Sequence, residues 1–171
     1  MLKPGTTAPD LDLPLTIDAR FVLSDQTPAN FTMLVFYRGK HCPICKNYLE
    51  ELGGRLSDFT DRGINVFAIS MDSEERAMVS DSEWETHDLP LAHDLSEQQA
   101  RGWGLYISEK REGSEEPEMF SEPGLFLLRP DRSIFFAVTQ SAPFTRPSLD
   151  ELLKGIDFAI DKDYPTRGTL T

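Results

Sequence analysis

The chain is poor in cysteine, histidine and basic residues, and each shortage excludes something. It has two cysteines in 171 residues. Both fall in one short motif, so the disulfide framework that staples small secreted domains is not available. Its three histidines, His41, His87 and His93, lack the spacing that would complete a zinc site with the two cysteines. No metal and no cofactor are expected. Acids outnumber bases 29 to 17, for a net charge of −12. That balance argues against a nucleic-acid partner, which calls for a basic face. No apolar run approaches the roughly 20 residues that cross a bilayer, so no membrane association is expected. The opening MLKPGTTAPDLDLP lacks the apolar segment of a signal peptide, which makes the cytoplasm the expected location. There is no internal repeat or low-complexity tract. The length suits a single domain over residues 1–171, large enough for a substantial core.

What the chain does have is concentrated in Phe31–Leu56, FTMLVFYRGKHCPICKNYLEELGGRL. Phe31–Tyr37 is an uncharged apolar run, as expected of a strand buried on both faces. Arg38-Gly39-Lys40-His41 turns the chain. Cys42-Pro43-Ile44-Cys45 follows, with Pro43 suited to a first helical turn. Leu49, Leu52, Leu56 and Phe59 then recur at helical spacing. A thiol at a helix N-terminus meets free N–H groups and the positive end of the dipole, and both favour thiolate. Arg38, Lys40 and Lys46 surround the pair, and no acid occurs between Phe31 and Glu50. Cys42 is therefore the expected nucleophile, with a depressed pKa and the more exposed sulfur. Cys45, one turn further in, is the expected resolving thiol. Arg38, Lys40 and His41 are candidates for tuning the pair. The blander reading is two structural thiols.

The rest of the chain supplies a scaffold. Leu11–Leu13 and Phe21–Leu23 are candidate hairpin strands after an irregular Met1–Pro9 lead-in. Ile64–Ser70 is a second buried strand, making a β-α-β unit with parallel strands and a right-handed crossover. Capping signals predict helices from Asp72-Ser73-Glu74-Glu75 to about His87, from Ser96, and from Ser148. Leu89–His93 is a short candidate strand. Ser108–Glu122 contains six Glu, two basic residues, a Gly and a Pro, the composition of an exposed loop or mobile hairpin. Gly124–Leu128 and Ile134–Thr139 are expected to pair as an antiparallel hairpin across Pro130–Ser133. Leu149, Leu152, Leu153, Ile156 and Ile160 give a last helix its inward stripe, and Tyr164–Thr171 reads as a loose tail.

This order is that of an α/β, thioredoxin-like domain: a central mixed sheet flanked by helices, with an N-terminal extension and an insertion before the last hairpin. Gly5-Thr6-Thr7-Ala8-Pro9-Asp10-Leu11 resembles the opening of the alkyl hydroperoxide reductase/thiol-specific antioxidant (AhpC/TSA, peroxiredoxin) family. Phe36-Tyr37-Arg38-Gly39-x-x-Cys42-Pro43-x-Cys45 resembles its peroxiredoxin-like branch with Cys-x-x-Cys. The resemblance implies an oxidoreductase with antioxidant activity, a small-thiol or thioredoxin-like reductant, and a homodimer as one assembly. Members of the family place a Thr or Ser three residues before the reactive cysteine, where this chain has Gly39. An Arg precedes their Gly-Leu-Phe-type strand, where this chain has Pro123.

Pro123 instead resembles the cis-proline of thioredoxins, which faces Cys-x-x-Cys and pairs with a substrate's extended chain. The expected activity is accordingly disulfide reduction, with substrate contacts from Pro43, Glu122 and a cis Pro123. Hydroperoxide reduction is the alternative. A non-catalytic redox sensor or binding module is the rival from another class.

Overall fold

The computed structural model describes residues 2–170. Met1 and Thr171, the outer ends of the expected lead-in and tail, lie outside the described residues. In chain order the elements are β1 (Asp12–Pro14), β2 (Arg20–Val22), β3 (Phe31–Phe36), α1 (Pro43–Gly54), α2 (Leu56–Thr60), β4 (Ile64–Ile69), α3 (Glu74–Glu83), β5 (Leu91–Ala92), α4 (Glu97–Gly102), β6 (Ile107–Glu109), β7 (Met119–Ser121), β8 (Gly124–Leu128), β9 (Ile134–Thr139) and α5 (Leu149–Asp161).

Period-two side-chain alternation on three central strands builds both halves of the core. Met33 and Val35 of β3, Val66 and Ala68 of β4, and Leu125 and Leu127 of β8 face one side. There they meet Leu49 and Leu52 of α1, Phe59 of α2, and Leu149, Leu153 and Ile156 of α5. Leu34 and Phe36, Ile69, and Phe126 and Leu128 face the other side, against Leu13 and Phe21 of the β1–β2 hairpin and against Ala100 and Trp103 at the end of α4. Each fully buried side chain of this size contributes about 1.5–3 kcal/mol. Because both faces are covered, the three strands read as continuous apolar runs.

The sheet has the order β5-β4-β3-β8-β9. β3 pairs parallel with β4 and antiparallel with β8, so it is central, with Phe36 opposite Ile69 on one side and Gly124 on the other. Its C-terminal end therefore delivers the chain to α1 from the middle of the sheet. β8 and β9 form the expected antiparallel hairpin, with an irregularity at Leu127/Leu128.

Three expectations are revised. The helix predicted to reach His87 stops at Glu83. Trp84 leaves the helix in extended conformation, its ring 6.1 Å from that of Tyr37, and Glu50 of α1 accepts the Glu85 N–H at 3.0 Å. Packing against α1 thus ends the helix early. Asp72, read as part of a helix cap, points elsewhere: it accepts the Lys40 N–H at 2.6 Å and Arg76 Nε at 2.8 Å. Ser96 alone closes the predicted capping box, with Gln99. Within Ser108–Glu122, β6 and β7 form an antiparallel hairpin, and Glu116 and Glu122 are buried. Two of its carboxylates turn inward to the half-buried Arg38, so not all of the stretch faces water.

One close approach fixes how α1 packs. A Cβ built on Gly53 would lie within van der Waals overlap of the Thr86 carbonyl oxygen and 2.6 Å from its carbon. Gly155 in α5 has open space where a Cβ would go. Gly53→Ala is expected to destabilise by about 2–4 kcal/mol through backbone displacement. Gly155→Ala is expected to stabilise by up to about 1 kcal/mol through helix propensity. Urea denaturation of the two variants checks both signs.

Candidate active site

The site starts where β3 ends. The Tyr37 N–H still donates to the Ile69 carbonyl at 3.0 Å, which holds the chain in the sheet up to the turn. Gly39 then adopts φ +120°, a conformation that L side chains rarely enter. A Cβ there would lie 2.6 Å and 2.7 Å from the two Asp72 carboxylate oxygens. Glycine is required twice over, by dihedral and by space. The Cys42 N–H donates to the Gly39 carbonyl at 3.1 Å and closes the turn.

Cys42 is the N-cap of α1, in extended conformation, with Pro43 at the first helical position. Its Sγ accepts the Cys45 N–H at 3.3 Å. The sulfur therefore occupies the place of the usual Ser or Asp oxygen at an N-cap, facing an unpaired helical donor and the positive end of the dipole. The thiol pKa is held well below its ordinary value. The largest cause is a hydrogen bond from the Cys45 thiol, aided by the Cys45 N–H and the charges of Arg146 and Arg38, with burial opposing. Cys45 goes the opposite way, pushed up chiefly by burial and by the neighbouring Cys42. The two environments split the pair into one ready thiolate and one protonated partner.

Cys42 is the more accessible of the two residues, but only at 2% against 0% for Cys45, so the expectation of a solvent-reachable thiol is corrected. Pro43 and Ile44 occupy the exposed first turn, and the sulfurs lie beneath them with the apolar core.

The expected positive island is also rearranged. Lys40 is exposed, and its backbone N–H, bound to Asp72, is what shapes the turn. Lys46 pairs with Glu50 at 3.7 Å. Arg38 lies between Glu116 and Glu122, 3.4 Å from each, with its guanidinium 4.6 Å above the Phe120 ring. Its charge still reaches Cys42, but two carboxylates offset it. His41 stacks 4.7 Å from Phe120. Burial, then Arg38, pushes its pKa down to about 4, so its ring is neutral at pH 7 and adds no cation.

The cation that touches the pair is Arg146, on the loop between β9 and α5. Its Nη2 donates to Cys45 Sγ at 2.9 Å. The guanidinium lies 5.2 Å from the Tyr48 ring centroid, and the Tyr48 hydroxyl donates to the Pro147 carbonyl at 3.0 Å. Sequence reasoning missed Arg146. It sits 101 residues from Cys45, in a loop without periodicity or motif.

The cis-proline expectation is corrected as well. There is no cis peptide bond among the described residues, so Pro123 is trans. Its carbonyl accepts the Gln140 N–H at 2.9 Å, and the Glu122 N–H donates to the Tyr106 carbonyl at 2.8 Å. These backbone groups are engaged within the fold and do not offer a substrate strand its ladder. The Glu122 side chain is taken up by Ser108, whose hydroxyl donates to it at 2.6 Å, and by Arg38. Glu122 thus anchors the β6–β7 hairpin to Arg38.

Several buried polar atoms near the pair have no hydrogen-bond partner among the described residues: Arg38 Nε, both ring nitrogens of His41, and Arg146 Nε and Nη1. Orphaned buried groups are uncommon, and of these Arg38 Nε lies 3.4 Å from the Glu122 carboxylate. None of the described helices is long and apolar enough to cross a membrane.

Comparison with known proteins agrees with this arrangement. Residues 4–137 match the model of the AhpC/TSA family. Alkyl hydroperoxide reductase C of Helicobacter pylori is 24% identical over 161 residues, covering 88% of this chain and 76% of that protein. Among solved structures, the mitochondrial 2-Cys peroxiredoxin of Plasmodium falciparum superposes with a TM-score of 0.75 at 17% identity, covering 94% of this chain and 95% of the other. Mycobacterium tuberculosis AhpC gives 0.74 at 17% identity, covering 99% of each. At such identities the structural likeness speaks for the fold, which is thioredoxin-like.

Proposed function

The chain belongs to the AhpC/TSA family and is a thiol-dependent oxidoreductase, and on that premise we propose that it is a peroxidase in which Cys42 attacks the hydroperoxide and Cys45 resolves the product. The observation that carries this reading is the burial of a thiolate-stabilised Cys42. A residue with 2% accessibility favours a reactant as small as a hydroperoxide over a folded protein's disulfide. In this reading the charge of Arg38, which reaches Cys42, stands in for the Thr or Ser replaced by Gly39, and favours the negative charge that develops on the peroxide oxygens as the O–O bond breaks.

The steps balance simply. The Cys42 thiolate displaces alkoxide from ROOH and becomes the sulfenic acid, and the alkoxide takes a proton to leave as ROH. Cys45 then attacks the Cys42 sulfur, expelling hydroxide that combines with the Cys45 proton as water. The resulting Cys42–Cys45 disulfide is reduced by an external dithiol, a small thiol or a thioredoxin-like protein. The H. pylori relative's name, an alkyl hydroperoxide reductase, suits this substrate class.

Reduction of substrate disulfides is the second reading, supported by the Cys-Pro-Ile-Cys arrangement at a helix N-terminus. The trans Pro123 and its engaged backbone weigh against it. Two assays with the same dithiol reductant separate the readings. Consumption of micromolar hydroperoxide without reduction of insulin disulfides is the expected result. Insulin reduction without peroxide consumption would make disulfide exchange the activity. Neither would leave a redox sensor.

A further inference from the structure

We propose that Arg146 is a catalytic residue of the second half-reaction, the group that accepts Cys45 as a thiolate when it attacks the oxidised Cys42. The proposal rests on the peroxidase reading above, in which Cys45 is the resolving thiol.

Charge balance is the first argument. Arg38 is matched by Glu116 and Glu122, whereas Arg146 has no carboxylate within 4.0 Å among the described residues. Its Nε and Nη1 are buried and without partners. A half-buried cation without a carboxylate partner favours an anion forming beside it. The atom at its third nitrogen is the Cys45 sulfur, 2.9 Å away.

Presentation is the second argument. The loop is braced so that the guanidinium stays over α1. The Gln140 side-chain amide donates to the Phe144 carbonyl at 2.8 Å and to the Thr145 carbonyl at 2.6 Å. Thr145 takes a positive φ of 60°, a conformation that needs such support. Tyr48 closes the far side through the Pro147 carbonyl.

The third argument is timing. In the resting enzyme the Cys42 thiolate disfavours a second negative sulfur beside it, which together with burial keeps Cys45 protonated. Oxidation of Cys42 to the neutral sulfenic acid removes that charge. Cys45 then faces Arg146 alone, and loses its proton as it forms the S–S bond and expels hydroxide from Cys42. Proton and hydroxide leave as water. The Cys42 thiolate and burial thus hold Cys45 protonated until the hydroperoxide has reacted, and Arg146 promotes resolution afterwards.

The test is single-turnover reaction of the reduced full-length protein with hydrogen peroxide, quenched at intervals. Sulfenic acid is counted by a trapping reagent and disulfide by mass spectrometry. Arg146→Gln is expected to slow disulfide formation about a hundredfold while slowing loss of the Cys42 thiol less than about tenfold, so that sulfenic acid accumulates. The pH midpoint of the second phase should move upward, and Arg146→Lys should restore part of the rate. Equal slowing of both phases, or an unchanged second phase, would overturn the proposal. Cys45→Ser is run beside it, and Arg146→Lys serves if the Gln variant does not fold. If Cys45→Ser turns over like the parent, the resolving role itself fails, a result distinct from any outcome for Arg146.

Discussion

Cys42→Ser is expected to abolish the proposed hydroperoxide consumption, by a fall on the order of 10⁴-fold or more for loss of a nucleophile, while thermal stability holds or rises slightly. The two halves of that expectation come from the same geometry. Cys42 is an N-cap whose sulfur accepts the Cys45 N–H, and serine is among the preferred residues at that position. The helix start therefore survives the change. The chemistry does not, because a serine hydroxyl is not ionised by one helical N–H and distant guanidinium groups, whereas a thiol is. Peroxide consumption measured beside a thermal melt separates the two. A folded serine variant with residual turnover would move the nucleophile elsewhere.

Gly39→Ala is expected to remove about 3 kcal/mol or more of stability, from backbone strain and from overpacking. For a chain of this length that is a fall in Tm on the order of 6–12 °C. The new methyl would meet the Asp72 carboxylate at 2.6 Å in a backbone held at φ +120°. The Lys40 N–H and Arg76 both depend on that carboxylate, so relief by moving Asp72 would undo the turn that delivers Cys42 to the helix. Activity should drop along with stability, and a thermal melt combined with peroxide turnover reads both. An alanine variant that melts with the parent would mean that the turn can be closed another way.

Much of the scaffold was legible because its signals are local. The uncharged run of β3, the Cys-Pro pair opening α1 and the leucine stripe of α5 each state their own structure, and together they imply the β-α-β unit. Capping signals were less decisive. The same Ser and Asp types that close a box at Ser96 serve the neighbouring turn at Asp72. The hairpin of β6 and β7 was obscured by composition. An acidic stretch reads as solvated, and only the fold reveals that Glu116 and Glu122 lie against Arg38.

At the site, the place of the two thiols at the start of a helix could be read from spacing, but their surroundings could not. Nearby lysines suggested a cationic pocket, yet in space Lys40 is exposed and Lys46 is paired. The cation in contact comes from Arg146, on a loop that no pattern connects to α1. Burial of Cys42 was equally hidden, because a Cys-x-x-Cys at a helix start is compatible with either exposure. The analogy at Pro123 carried a sequence position but not a peptide geometry, and the backbone hydrogen bonds of Glu122 and Pro123 show that segment engaged within the fold.

The account stands or falls on whether the sulfur at the start of α1 is already ionised at neutral pH. The direct measurement is the second-order rate of Cys42 oxidation by hydrogen peroxide, followed by stopped flow from pH 5 to pH 9. The depressed thiol value predicts a rate that has reached its plateau by about pH 7, below the ordinary thiol value of about 8.5. A rate still climbing tenfold per pH unit through pH 8 would contradict it.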